Sequence, residues 1–148
     1  DAHLPHEYVP SERLRLEAYR RLSEASSETE VQAVRAELVD RYGEPPRPVE
    51  NLLEVARFRA HARAAGLRDV TLQGNHVRFG PVELRDWQRV RLQRLHPRAL
   101  VKEQVRTILV PRPSTAPVGG RPLRDVELLA WAREVVDDVL LDAPAVAH

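Results

Sequence analysis

Apolar residues recur every three or four positions through the first third of the chain and every second position just beyond it, and that change of period predicts where helices give way to strands. Ser11, after Pro10, is placed to cap a helix running to about Glu24, with Leu14, Ala18 and Leu22 on one face and Tyr19 beside it. Ser27 and Glu30 form a capping box for a second helix, whose Val31, Val34, Leu38 and Tyr42 repeat at helical spacing until Gly43 ends it. A third helix opens at Pro48 and stops at Gly66. It carries two apolar stripes, Val49, Leu52, Leu53, Ala56, Ala60 and Val55, Phe58, Ala62. That surface is wider than a one-sided helix needs, so the helix is expected to be central and covered from two directions.

Asp69–Gln73 and His76–Phe79 then alternate with period two around Gly74-Asn75, the signature of a hairpin. Gly80-Pro81 interrupts the second strand, and Val82-Glu83-Leu84 is read as continuing it past a bulge. Asp86 is read as the cap of a short helix, Trp87 to Leu95, although Val90, Leu92 and Leu95 also tolerate a strand. Ala99–Val101, a turn at Lys102–Gln104 and Val105–Val110 predict a second hairpin. Pro111 to Arg124 holds four prolines and Gly119-Gly120, a loop (111–124) long enough to be mobile or functional. Asp125 is read as the cap of a last helix to about Leu141, ended by Pro144, with Trp131 anchoring it in the core and residues 143–148 frayed. Residues 1–10 are too short and proline-rich for regular structure, and Leu4, Tyr8 and Val9 are expected to pin them as an extended arm. The fold class expected is α+β: an N-terminal half of about three helices, then a small antiparallel sheet of two hairpins with a short helix and a C-terminal helix packed on it.

Composition narrows the function classes. With 148 residues the chain is expected to be a single domain, and a net charge of +1 points to neither nucleic acid nor a membrane surface. Lys102 is the only lysine among 23 basic residues, a bias that base composition of a genome explains without function. There is no cysteine, no run approaching a membrane span and no signal-peptide pattern, and the chain opens at Asp1 without methionine. A cytoplasmic fragment of a longer protein is the expectation. No GxxxxGK[ST], HExxH, CxxC or GxSxG is present, so no catalytic residue, cofactor-binding residue or metal ligand is assigned and the chain is not expected to be an enzyme. His3 and His6 lack a third ligand at useful spacing.

Two clusters remain. Glu37 and Asp40 stand three apart near the end of the second helix, where negative charge is mildly unfavourable and an external cation would offset it; pairing with the neighbouring Arg41 is the local alternative. Arg85, Arg89, Arg91, Arg94 and Arg98, with Trp87, form the densest basic cluster and the best candidate for nucleic-acid contact, though they follow no one periodic face.

The stretch ELVDRYGEPPRPVENLLEVARFR, Glu37 to Arg59, resembles the C-terminal domain of bacterial transcription-repair coupling factor (Mfd), whose pattern is close to ELIDRFG-x-x-P-x-x-x-x-NLL-x-x-AR-x-R. Ala2-His3-Leu4-Pro5, Tyr8-Val9-Pro10, Arg13-Leu14, Tyr19 and Leu22 continue the likeness upstream, which covers about the first seventy residues, a small-domain core's worth. The resemblance implies a non-catalytic regulatory domain of a DNA-translocating ATPase. In that family the domain docks on a UvrB-like N-terminal module, masks the surface that binds UvrA and restrains the motor until RNA polymerase engages. It places docking acids at Glu37 and Asp40, with Arg41 in the same motif, facing arginines of the UvrB-like module. ATP and Mg are implied elsewhere in the parent protein, with no cofactor in this domain. DNA, RNA polymerase and UvrA are implied as partners through the parent, and no membrane. The alternative is a nucleic-acid-binding module that uses the Arg85–Arg98 cluster.

Overall fold

The structure, a computed structural model, describes residues 1–141, so Pro144 and the tail at 143–148 lie outside the described residues. The chain divides into two compact units, Asp1–Ala64 and Ala65–His148.

The first unit holds α1 (Glu12–Glu24), α2 (Glu28–Tyr42) and α3 (Arg47–Ala64). Ser11 caps α1 by accepting from Leu14 N–H, and Ser27 caps α2 by accepting from Glu30 N–H. The Glu30 carboxylate reaches back to Ser26 N–H at 2.8 Å, one residue further than a strict capping box. Gly43 takes φ +84°, and its N–H bonds Val39 C=O, closing α2. Both α1 and α2 pack against α3, whose stripe of Val49, Leu52, Leu53, Ala56 and Ala60 enters the core they share. Leu22, Val31, Val34, Leu38, Val49 and Leu53 form the centre of one buried cluster. The N-terminal arm belongs to this core, for Leu4 and Val9 are buried in it. It is not extended throughout: Tyr8 and Val9 N–H both bond Pro5 C=O, folding His6–Tyr8 into a turn.

The second unit is a four-stranded antiparallel sheet with helices. Strands β1 (Asp69–Gln73), β2 (His76–Gly80), β3 (Leu100–Lys102) and β4 (Thr107–Pro111) run in the order β1-β2-β4-β3, so the two hairpins join edge to edge. The register sets Val70 opposite Phe79 and Phe79 opposite Ile108. Val77, Phe79, Ile108 and Val110 are therefore the buried face. Two longer helical elements belong to this unit: α4 (Asp86–Leu95), between the two hairpins, and α5 (Asp125–Val135) after them, with its continuation, Val136–Leu141, wound as a π-helix. Trp131 of α5 meets Phe79 with ring centroids 6.4 Å apart, which packs the last helix on the sheet.

The structure departs from these expectations at four places. The stretch 86–95 is the expected helix, but Asp86 is its first residue and the cap position belongs to Arg85, whose N–H donates to the Gln88 side chain at 2.7 Å. Val82–Leu84 does not continue β2, because Pro81 has no N–H for the ladder; Val82 makes one bond to Arg106 C=O instead. The second hairpin turns later than expected: Glu103–Val105 is a 3₁₀ turn closed by Arg106 at φ +53°, and β4 starts at Thr107. Asp125 lies inside the start of α5 at φ +54°, a conformation Asp tolerates better than most residues. Within 111–124 the chain folds back on itself, with Thr115 N–H to Arg121 C=O and Leu123 N–H to Pro113 C=O, both 2.8 Å.

Candidate interdomain docking site

The last turns of α2 carry the acidic pair, and three contacts hold them in place. Tyr8, from the arm, sets its hydroxyl 2.8 Å from Gly43 C=O and 3.2 Å from Leu38 C=O, sharing one proton between two carbonyls at the helix end. Its ring leans on Tyr42 at 5.6 Å, and burial is the main reason its phenol titrates above the ordinary value. The arm itself is tied down by Leu4 N–H donating to the Tyr19 hydroxyl at 2.7 Å and by His3 N–H donating to Pro48 C=O at 3.1 Å. On the neighbouring turn Arg35 grips Glu50 of α3 through two bonds of 3.1 and 3.2 Å, locking α2 to the central helix.

Against that rigid frame the two acids differ. Glu37 Oε2 accepts from Arg21 of α1, and Glu37 Oε1 faces Arg41 Nε at 3.9 Å. The bond from Arg21, more than the charge of Arg41, holds the Glu37 carboxyl below the usual carboxylate range. Asp40 is exposed and makes no ion pair among the described residues. Glu37, Asp40 and Arg41 lie together at the helix end, as their spacing implies; Arg20-Arg21 reads in sequence as a solvated face or a contact for phosphate or an acidic partner, and nothing there joins Arg21 to Glu37. Arg21 lies sixteen residues before Glu37, on another helix, where no local spacing announces it. Its neighbour Arg20 is spent on Glu24, an exposed i,i+4 pair at 3.1 Å. Between α1 and α2 runs an open groove of about 290 Å³, floored by Leu14, Ala18, Val34, Leu38 and Tyr42 and rimmed by Arg13, Glu17, Arg21, Glu37 and Arg41.

The basic cluster of the second unit is dispersed. Arg89 pairs with Glu103, while Arg91 lies over the Trp87 ring at 5.4 Å and donates to Asp138 C=O at 2.9 Å. Arg85 and Arg89 share one side of α4, and Arg91 and Arg94 another, so they form no single positive stripe. Among the described residues no three His, Cys, Asp or Glu side chains converge as a metal site, and no helix is long and apolar enough to cross a membrane.

The model of the TRCF domain matches residues 1–90, which takes in the whole first unit, both strands of the first hairpin and the first half of α4. The chain belongs to the TRCF domain family. It is 45% identical over 137 residues to the transcription-repair-coupling factors of Mycobacterium tuberculosis and Mycobacterium bovis, covering 92% of this chain but 11% of those proteins. The factor of Escherichia coli is 39% identical over 72 residues, 49% of this chain and 6% of that protein. A crystal structure described as the C-terminal domain of transcription-repair coupling factor matches with a TM-score of 0.66 at 18% identity, covering 94% of this chain and 89% of that one. It shows the α+β fold shared along the chain. This TRCF domain thus spans about a tenth of the length of the mycobacterial relatives.

Proposed function

We propose that this TRCF domain is a non-catalytic regulatory element of a cytoplasmic, DNA-translocating transcription-repair coupling ATPase, and that it docks through the end of α2 on the UvrB-like N-terminal module of the same protein. Docking masks the UvrA-binding surface and restrains the motor until RNA polymerase engages. ATP and Mg act elsewhere in the parent, as does DNA. The observation that carries this reading is Asp40: an exposed, unpaired carboxylate on a helix end that Tyr8 and Arg35 hold rigid. The C-terminal end of a helix already carries partial negative charge, so Asp40 and the exposed Glu44 raise the local field that an arginine of the partner would answer. The nucleic-acid reading of Arg85, Arg89, Arg91 and Arg94 has less support, since Arg89 and Arg91 are already engaged within the unit.

The test is the affinity of UvrA for the full-length parent with Glu37→Arg and Asp40→Arg together. Removing one side of a desolvated charge pair costs about 2–5 kcal/mol, so undocking is expected to open the masked surface and raise UvrA affinity without polymerase. Affinity equal to wild type would sink the docking assignment.

A further inference from the structure

Resting on that docking reading, we propose that Arg21 is an internal competitor that occupies Glu37 in the undocked domain and must be displaced before an arginine of the partner module can pair there. Arg21 reaches from α1 to Glu37 on α2, with side chains 36% and 42% exposed, so the pair sits on the rim of the groove where a partner would land. Arg41 approaches the other oxygen of the same carboxylate at 3.9 Å. A carboxylate has acceptor sites for more than one guanidinium, but its single charge does not balance three. Once docking excludes water, a third arginine added to Arg21 and Arg41 leaves two positive charges uncompensated where they are most costly. The partner's arginine therefore enters as Arg21 leaves, and one ion pair is exchanged for another with little net gain.

Asp40 has no such occupant. An arginine that reaches it makes a new pair instead of replacing an old one, so the two acids of the motif are unequal. Asp40 supplies most of the electrostatic gain, and Glu37 tunes docking through the ease with which Arg21 lets go.

The experiment measures UvrA affinity for the full-length parent by titration, using UvrA as a reporter of the undocked fraction. Arg21→Ala is expected to lower apparent UvrA affinity by about two- to fivefold, the worth of one exposed ion pair expressed as a shift toward the docked state. Arg21→Met, which keeps the apolar stem and its packing, should give the same shift and guards against a folding defect. In a Glu37→Gln background the Arg21 substitutions should have no effect, and Asp40→Asn should raise UvrA affinity more than Glu37→Gln does. If Asp40→Asn opens the surface but both Arg21 variants leave affinity unchanged or raise it, competition is wrong and docking stands. If no variant at 21, 37 or 40 moves UvrA affinity, the docking reading and the competition fall together.

Discussion

The two units of the chain treat their apolar residues differently. In Asp1–Ala64, Leu16 is the exposed large apolar side chain among the described residues, and three helices with their arm enclose one buried cluster. In the second unit the central strands are buried while the edges are not: Leu72 of β1 and Leu100 and Val101 of β3 are exposed, as are Val90, Val105 and Val126. The contrast follows from topology. Three mutually packed helices can each turn a stripe inward, whereas a four-stranded open sheet always leaves two edge strands with fewer neighbours. It also separates tasks: the unit with the closed core holds the rigid, charged helix end proposed to dock.

The first way to break this comparison is to remove one side chain from each core. Phe79→Ala should cost about 3–5 kcal/mol and Leu53→Ala about 2–5 kcal/mol in chemical denaturation, because both are enclosed and neither site can collapse freely. A loss near zero at either would misplace that unit's core. Tyr8→Phe sharpens the claim that the arm holds the end of α2. Losing the hydroxyl shared by Gly43 and Leu38 should cost about 0.5–1.5 kcal/mol by denaturation, and no cost would show the arm to be incidental.

Smaller effects come from pH, with a different cause in each unit. His96, half-buried against Trp131, titrates below its ordinary 6.5 chiefly through burial, partly countered by Asp138. The unfolded chain thus takes up a proton where the folded one resists, so this contribution is fully present above pH 6.5 and is lost as pH falls below it toward the folded value. His96→Phe should flatten that part of a stability–pH profile. Glu37 behaves as a depressed carboxylate: its contribution is present above an ordinary value of 4.5 and is lost as pH falls through the lower folded one. Glu37→Gln should remove it at a cost under about 1 kcal/mol, since both side chains of the pair remain partly exposed to screening water. Reversal to arginine at the same position should be somewhat worse, facing Arg21 and Arg41, whereas reversal at the unpaired Asp40 should be neutral or slightly favourable.

What was legible in the sequence tracks how local each determinant is. Ser11, Ser27 and Gly43 announce their helix ends within a turn, and the Val49–Ala60 stripe of α3 announces the face that meets α1 and α2. Gly74-Asn75 announces the first hairpin, but nothing near Phe79 states that it pairs with Ile108, because strand order depends on contacts distant in sequence. The same limit applies at the site. Glu37, Asp40 and Arg41 fall within one motif and are read together, while Arg21 and Tyr8 reach them from other elements. The basic cluster near Trp87 looks continuous in sequence and is divided by helix geometry and by Glu103.

The most direct test of the central claim, that the end of α2 is covered by another module of the parent, is hydroxyl-radical footprinting of Tyr42. This side chain lines the groove beside Glu37 and is partly exposed in the chain described here. Docking predicts that Tyr42 is oxidised more slowly in the resting full-length protein than in this chain alone, and that Asp40→Arg in the full-length protein restores the faster rate. Equal oxidation of Tyr42 in the two proteins would contradict the account.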